Sequence, residues 1–326
     1  MSCLTEFRNI AAAVSCVAPM LVASPTLAQD YPSRPVRIVV PAPAGGPTDV
    51  LARLIGQKLS DAWSQPVIVE NRAGANQIIG TEAVARAAPD GYTLLMAVDS
   101  TLTMHPHAYK KLPYDALKDF APVTTVANSW VAVLANAASP AKTFSEAMAL
   151  AKAAPGKQSY GSGTLTTQVI AERVSQLAGV KLLYVPYKGS APTFAALLAG
   201  DVNLSFDGFA PYRGAVAQGK IRVLAVTGDK RASALPDVPT LAELGFPGLS
   251  TGVWLGVVAP AGTPPAIVNR VSQQVNLSIE QADIREKFAA MGLEPFPSNP
   301  EKMAAFIRAE SDKWSKVIKE AGISLE

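Results

Sequence analysis

Cysteine and histidine are almost missing from this 326-residue sequence. The two cysteines, Cys3 and Cys16, lie within the first 28 residues, so the remaining chain offers no disulfide, thiol nucleophile or thiolate metal ligand. The two histidines, His105 and His107, flank Pro106, and no nearby carboxylate completes a metal site. We interpret this segment as a solvated surface turn, and we expect neither a metal nor a cofactor.

An excess of charge and long apolar runs are also missing. Lys and Arg number 29 and Asp and Glu number 26, and no Lys/Arg tract accompanies the net charge of +3. Aromatic residues are few and do not alternate with basic ones, which argues against nucleic-acid binding. After residue 28, no apolar stretch is long enough to span a membrane.

The first 28 residues differ in composition from the rest and predict a cleavable signal peptide. Arg8 precedes an apolar run over residues 10–23, and the small residues Thr26 and Ala28 fit a signal-peptidase site. The run is too short for a comfortable membrane span. We therefore expect export of the protein, with cleavage after Ala28. Cys16 lies in a poor lipid-attachment box, which favours a soluble form.

Short apolar runs that predict strands alternate with stretches of helical periodicity. The predicted strands cover residues 37–40, 67–70, 93–97, 130–135, 182–186, 203–207, 222–227 and 253–259. Apolar stripes predict helices around residues 50–59, 144–151, 169–177 and 303–318, with Thr143 as a cap of the second. The strand-like runs are continuous, which is typical of strands covered on both faces. The pattern predicts an α/β fold with mainly parallel strands.

Two similar successions of strand, loop and helix predict two lobes. We expect residues 29–128 to begin lobe 1, residues 129–250 to form lobe 2, and residues 251–326 to return to lobe 1. The C-terminal helix could also pack on lobe 2. A cleft between two lobes is a natural place for a small ligand.

A glycine-containing segment follows the first predicted strand, and we call residues 42–49 the first loop. Gly45 and Gly46 free its backbone, and a helix beginning at Asp49 would point its positive end at an anion. Either Thr48 or Asp49 could cap that helix. The loop has neither the Gly-Lys-Ser/Thr ending of a phosphate-binding P-loop nor a GxGxxG pattern. A carboxylate is therefore favoured over a phosphate, and a simple tight turn is the alternative.

A second segment of this kind, residues 160–168, also lies between a predicted strand and a helix, and we call it the second loop. Its glycines free the backbone, and its hydroxyl residues could donate to a ligand: Ser162, Gly163, Thr164, Thr166 and Thr167. The two loops together could hold the two ends of one small anion. Ser162 does not sit in a GxSxG elbow and has no paired histidine, so a serine hydrolase is a weak alternative.

Polar residues also follow three further predicted strands. Asp99, Ser100 and Thr101 come after the third strand, where they contact a ligand or merely cap the next helix. Lys188 could pair with a ligand carboxylate, although a solvated lysine is the commoner case. Asp207 could orient water or a polar group of the ligand.

Many segments, in the right order, resemble the periplasmic substrate-binding proteins of tripartite tricarboxylate transporters, the Bug (TctC-like) family. They include YPSRPVRIVVP, AGGPTD, QPVIVENRAGA, ARAAPDGYTLL, VPYKGSAP and LPDVPTLAELG, and they extend over essentially the whole chain after residue 28. The resemblance implies a two-lobed periplasmic-binding-protein fold of type II, a Venus flytrap, that closes on a carboxylate. It implies no enzymatic activity.

The resemblance also implies which residues bind the ligand and which proteins receive it. The first loop matches the ligand loop of the family, with the candidates Ala42, Pro43, Ala44, Gly45, Gly46, Thr48 and Asp49. The second loop and the strand ends near Ser100 and Asp207 match the rest of the pocket. We expect a monomer that passes a dicarboxylate, tricarboxylate or aromatic acid to membrane permease subunits. A binding protein that serves a sensor remains an alternative.

Three departures from the family pattern leave the identity of the ligand open. Ala42 stands where the family commonly has Phe or Tyr, which enlarges or reshapes the pocket. The second loop is shorter than usual, and Gln168 and Val169 stand where a histidine is common. Asp99 stands where Asn is frequent, so a ligand with a cationic group is favoured unless the carboxylate is simply buried and bonded.

Overall fold

The computed structural model describes residues 31–228, 230–232, 234–249 and 252–326. The predicted signal peptide, its cleavage site and the predicted lobe boundary between residues 250 and 251 lie outside the described residues. Among the described residues, no helix combines the length and the apolar composition that a membrane span requires.

Strands and helices alternate along most of the described chain. The strands are β1 (Val36–Val40), β2 (Val67–Asn71), β3 (Thr93–Val98), β4 (Phe120–Ser129), β5 (Val131–Asn136), β6 (Ser159–Ser162), β7 (Leu183–Pro186), β8 (Leu204–Gly208), β9 (Ile221–Val226), β10 (Val253–Pro260) and β11 (Glu294–Pro295). The α-helices are α1 (Pro47–Trp63), α2 (Ile78–Ala85), α3 (Asp99–Thr103), α4 (His105–Ala108), α5 (Phe144–Ala153), α6 (Leu165–Ala178), α7 (Ser190–Ala199), α8 (Arg213–Ala217), α9 (Pro265–Ile279), α10 (Ala282–Ala290) and α11 (Pro300–Ala321).

Two mixed sheets carry the two lobes of this α/β fold. The first has the strand order β11-β4-β10-β3-β1-β2, and the second has the order β7-β6-β8-β5-β9. In the first sheet, β1 is parallel to both β2 and β3. In the second sheet, β6 is parallel to both β7 and β8. Each sheet thus has a parallel part built from strand–helix–strand units.

The remaining strand pairs are antiparallel, so the prediction of mainly parallel strands is wrong. β10 runs antiparallel to β3 and β4, and β5 runs antiparallel to β8 and β9. The reason lies in the chain path: β4 of the first sheet is followed directly by β5 of the second, and β10 returns to the first sheet. Strands that carry the chain between sheets are not part of strand–helix–strand units, and they need not be parallel to their neighbours.

The four predicted helical stripes fall in α1, α5, α6 and α11, where apolar residues face the sheets. Leu51, Ile55 and Leu59 of α1 are buried, as the spacing predicts. The side chain of Thr143 accepts a hydrogen bond from the backbone N–H of Glu146 and caps α5. Local sequence therefore determines these helices well.

The C-terminal helix α11 packs against elements of both sheets. Its first half places Met303 and Ile307 in the core beneath the first sheet, and its second half places Trp314 and Ile318 in the core of the second. It also contacts α6, since the backbone carbonyl of Glu320 accepts from the Gln176 side chain. One rigid helix thus bridges the two lobes beside the site described next.

Candidate functional site

The first loop connects β1 to α1 at an edge of the first sheet. The helix begins at Pro47, after Gly46 as N-cap, so the prediction of a helix that starts at Asp49 with a Thr48 or Asp49 cap is wrong. Proline suits the first helical position because its fixed φ is helical and it has no N–H to satisfy there. Pro43, Ala44 and Gly45 are exposed, whereas Ala42, Gly46 and Thr48 are half-buried.

The buried carboxylate of Asp49 holds this loop in place. It accepts hydrogen bonds from the backbone N–H of Gly45 at 2.8 Å and from the side chains of Arg53 and Asn71 at 3.1 and 2.9 Å. Asn71, at the end of β2, also donates to the carbonyl oxygen of Ala42 at 3.1 Å. Asp49 therefore stabilises the loop from its buried side, and both of its carboxylate oxygens already accept hydrogen bonds.

The charge of Asp49 is maintained despite its burial. Desolvation alone would raise the pKa of Asp49, but the hydrogen bonds from Arg53, Gly45 and Asn71 together outweigh it and lower the pKa below its ordinary value. An ionised Asp49 favours the cationic Arg53 and the N–H of Gly45 as partners. The loop is consequently rigid near neutral pH.

The second loop joins β6 to α6 at the corresponding edge of the second sheet. Thr164 is the N-cap of α6, and its hydroxyl accepts from the N–H of Thr167 at 3.3 Å. The hydroxyls of Ser162 and Thr167 lie 2.6 Å apart, and Ser162 also donates to the carbonyl of Thr164 at 3.0 Å. Ser162 and Thr167 are buried and bonded to each other, so their hydroxyls fix the shape of the loop.

A close approach of two glycines connects the second loop to the start of α7. A Cβ at Gly163 would lie 2.5 Å from the carbonyl carbon of Gly189, which is far inside van der Waals contact. Gly189 itself has a φ of +98°, a conformation that favours glycine. Lys188 precedes it and is exposed. These two segments therefore meet backbone to backbone.

Asp99 and Thr166 meet between the two sheets. Asp99 is the first residue of α3 after β3, and its Oδ2 accepts a hydrogen bond of 2.9 Å from the Thr166 hydroxyl in the first turn of α6. Ser100 donates from its hydroxyl to Gln77 at 3.2 Å, whereas the hydroxyl of Thr101 donates to the backbone carbonyl of Val98. Thr101 thus bonds back to the residue before α3, and no side chain caps this helix.

The carboxyl group of Asp99 is almost entirely removed from water. Its exposure is 1%, and its Oδ1 has no hydrogen-bond partner among the described residues. Burial raises the pKa of Asp99 to about 7, against the opposing effect of hydrogen bonds from Thr166 and the Ser100 backbone. Glu310 raises this pKa slightly further, and Lys313 lowers it.

Asp207 is a buried acid of the second sheet whose oxygens are all used internally. It accepts from the Ser190 hydroxyl at 2.7 Å, from the Gly208 N–H at 2.8 Å and from the Tyr212 hydroxyl at 3.0 Å. Burial raises the pKa of Asp207 to about 6. Through Ser190, the first residue of α7, this carboxyl anchors the segment that contacts Gly163.

The prediction that both histidines lie in a solvated turn is wrong for His105, which is buried. His107 is exposed to solvent, but it lies in the helix α4 and not in a turn. His105 is 1% exposed, and its Nδ1 lies 3.1 Å from the Tyr114 hydroxyl. His107 Nε2 lies 2.8 Å from the Ser311 hydroxyl of α11. The helix α11 packs against α4. Burial lowers the pKa of His105 to about 4, so the ring is neutral. The described residues contain no group of three potential metal ligands of the His, Cys, Asp or Glu type.

Several residues at this edge were not predicted from the sequence. Asn71 and Arg53 hold Asp49, and Gln77 accepts from Ser100. Gln77 ends a turn in which Ala75, Asn76 and Gln77 all have positive φ. A polar residue at the end of β2, parallel to β1, was the available signal for Asn71. The sequence did not predict this turn, because none of its three residues with positive φ is glycine.

Two hollows on the described surface have no residue of either loop in their lining. One of about 330 Å³ separates α1 from α10, with Arg53, Lys58 and Asp283 in its lining. The other, of about 360 Å³, lies beside β9 and includes Arg222. Both are open grooves, so the candidate site is assigned from the loops and not from the size of a cavity.

The arrangement as a whole is suited to holding an anion. Each loop leads into the N-terminus of a helix of 14 or more residues, where backbone N–H groups have no carbonyl partner inside the helix. Ser162 bonds to Thr164 and Thr167, and the histidines bond to Tyr114 and Ser311. No serine of the described site is thus paired with a histidine base.

Comparisons with known proteins are consistent with this geometry. The model of the tripartite tricarboxylate transporter family receptor matches residues 51–323. A Rhodopseudomonas palustris protein with adipate superposes with a TM-score of 0.84 at 35% identity, covering 90% of this chain and 99% of its own. The periplasmic binding protein BugD superposes with a TM-score of 0.82 at 32% identity, and the match covers 91% of this chain and 100% of BugD. MatC from Rhodopseudomonas palustris, with bound malate, superposes with a TM-score of 0.80 at 31% identity. The match covers 88% of this chain and 100% of MatC.

The contact between Gly163 and Gly189 predicts that Gly163→Ala destabilises the protein. The added methyl group meets backbone atoms, which cannot rotate away, so we expect a loss of about 1–3 kcal/mol in the free energy of unfolding, measured with urea. The control is Gly214→Ala in α8, where nothing lies within 4 Å of the new methyl group. Equal stability of the two variants would contradict the close approach.

The burial of Asp99 predicts a pH-dependent difference between the protein and its Asp99→Asn variant. The folded chain retains a proton on Asp99 between about pH 4 and pH 7 that the unfolded chain has released. The stability of the unmodified protein relative to Asp99→Asn should therefore fall as pH rises through this window, by at most about 1.4 kcal/mol per pH unit. Urea unfolding of both proteins across the window measures the difference.

Other titrating groups cancel in that comparison. The lowered pKa of His105 makes stability rise with pH in part of the same window, and Asp207 acts in the direction of Asp99. Both groups are present in the two proteins, so their contributions to the pH dependence are common to both. A stability difference that stays constant from about pH 4 to pH 7 would show that Asp99 does not titrate there.

Proposed function

Because this chain belongs to the tripartite tricarboxylate transporter receptor family, we propose that it captures a small organic carboxylate in the periplasm and delivers it to a tripartite tricarboxylate transporter. The family consists of solute-binding receptors. A dicarboxylate, tricarboxylate or aromatic acid is the ligand class that we propose. Membrane permease subunits are the proposed partners, and the protein reaches the periplasm after removal of residues 1–28.

One observation supports this function above the others. Each sheet ends a parallel strand in a glycine-containing loop that opens onto the first turn of a long helix. Backbone N–H groups at such a position bind anions, and the helix dipole favours negative charge there. A ligand with two polar ends would engage one loop with each end.

The first loop is suited to the carboxylate end of the ligand. Ala44 lies in the exposed part of this loop, and Asp49 and Asn71 hold the loop from the opposite side. The N–H of Gly45 already donates to Asp49, so the N–H of Ala44 is the proposed donor to the carboxylate. A preorganised loop binds more tightly because little freedom is lost when the ligand arrives. Ala42, which is small, leaves room beside the loop for the carbon chain or ring of the ligand.

The second loop is suited to the other end of the ligand. Gly163 and Thr164 are partly accessible, whereas Ser162 and Thr167 stabilise the loop from within. Lys188 is exposed next to Gly189, from where its ammonium group could reach a second carboxylate. These contacts require the two lobes to approach one another.

Closure between the lobes couples binding to delivery. We assign residues 29–128 and 251–326 to lobe 1 and residues 129–250 to lobe 2. The chain passes from β4 to β5 near residue 130 and returns between β9 and β10. A ligand that makes contacts only in the closed state shifts the population toward it, and a permease can distinguish that state from the open one.

A thermal-shift screen followed by calorimetry tests the proposed function. We expect at least one of succinate, glutarate, adipate, citrate and benzoate to stabilise the protein, by about 2.7 kcal/mol when the ligand is present at roughly 100 times its Kd. Phosphate, sulfate and glucose are the comparison ligands. Stabilisation by these alone would overturn the assignment to a carboxylate.

The Asp49→Asn variant then tests the role of the first loop. It removes an acceptor that Gly45 and Arg53 share, so we expect a folded protein whose affinity for the best ligand is roughly ten-fold lower. The control is Asp283→Asn, which breaks the ion pair with Lys58 on the far part of α1. Unchanged affinity of Asp49→Asn would remove the first loop from the site.

A further inference from the structure

Asp99 occupies a position between the two candidate loops. β3 is parallel to β1, so Asp99 and the first loop leave the first sheet at the same edge. Its Oδ2 is bonded to Thr166, in the same helical turn of α6 as Thr167 of the second loop. A ligand that spans the two loops therefore passes close to this carboxyl group.

The hydrogen bonding of Asp99 is incomplete. Thr166 donates to Oδ2, and the backbone N–H of Ser100 also donates to the carboxyl group. Oδ1 has no partner among the residues described, although the side chain is only 1% exposed. A buried acceptor without a donor is unfavourable, so a group that donates to Oδ1 would stabilise the complex.

The other buried aspartates of the described chain are not in this state. Asp49 accepts from three groups, and Asp207 accepts from Ser190, Gly208 and Tyr212. Neither has a buried oxygen without a partner. A carboxylate oxygen without a hydrogen-bond donor is therefore specific to Asp99 and is not a general feature of the buried acids described here.

Among the residues that the structure describes, no cation lies within ion-pair distance of Asp99. Lys313 contributes to its surroundings, but its ammonium group bonds to both oxygens of Glu310 at 2.9 and 3.0 Å. Arg53 is held by Asp49. The two loops offer donors to a ligand, and Asp99 offers an acceptor beside them.

We propose that Asp99 Oδ1 accepts a hydrogen bond from the ligand, so that the site selects carboxylates that also carry a hydroxyl or a protonated amine. This inference rests on the proposed function and names the ligand class more narrowly. A plain diacid presents only acceptors once it is ionised, and it places a like charge against Asp99. A hydroxy or amino substituent replaces that repulsion with a donor.

Matched series of ligands test this selectivity by calorimetry on the full protein. Each series keeps one carbon skeleton and varies one substituent: succinate, malate and aspartate; glutarate, 2-hydroxyglutarate and glutamate; adipate, 2-hydroxyadipate and 2-aminoadipate. Both enantiomers are measured at about pH 8, above the pKa of about 7 for Asp99. In the series that fits the cleft, we expect a substituted acid to bind about ten-fold tighter than its parent.

Variants of Asp99 connect that preference to the residue. In Asp99→Ala the affinity ratio between substituted and parent acid should fall toward one. Asp99→Asn keeps an acceptor but loses the charge, so the preference for the amino acid should fall more than the preference for the hydroxy acid. Asp283→Asn is the control, since it removes a half-exposed acid that pairs with Lys58 and should leave the ratio unchanged.

The outcomes separate this inference from the function on which it rests. A parent diacid that binds the unmodified protein as tightly as its derivatives overturns the role of Asp99, while carboxylate capture stands. A preference that survives in both Asp99 variants, or that falls equally in Asp283→Asn, overturns the role of Asp99 as well. If no member of any series binds, the dicarboxylate form of the proposed function fails together with the inference.

Discussion

Parallel pairing beside β1 and β6 is the constraint on which the candidate site depends. Because parallel strands all end at one edge, each sheet delivers several loops to the same place, and helices begin there with their N–H groups outward. The antiparallel strands have another task, since β4, β5 and β10 carry the chain between the sheets. The parallel part of each sheet therefore carries one loop of the candidate site, and the antiparallel strands connect the two sheets.

The three buried aspartates of the candidate site have different roles. Asp49 is ionised by its hydrogen bonds and holds the first loop, and Asp207 anchors the start of α7. Asp99 is bonded to Thr166 across the lobes and retains an oxygen without a donor. Two of the acids therefore preorganise the backbone that faces an anion, and the third gives the site an acceptor of its own.

The sequence predicted those features that depend on local patterns. Helices with clear apolar stripes, the Thr143 cap and the two glycine-containing loops follow from spacing and capping rules. It missed β4, whose proline and two threonines are typical of a loop, because the strand is evident only when β10 and β11 pair with it. It also misjudged His105, because the burial of this ring beside Tyr114 depends on tertiary packing. The partners of Asp99 and Asp49 depend on contacts between distant residues, which spacing along the chain does not encode.

The central claim is that one carboxylate ligand lies between the two loops, and a crystal structure of the protein with its best-binding acid tests it most directly. We predict one carboxylate of the ligand within hydrogen-bond distance of backbone N–H groups of the first loop, and the opposite end at the second loop. A ligand that touches neither loop, for example one that occupies the groove of about 330 Å³ between α1 and α10, would contradict the account.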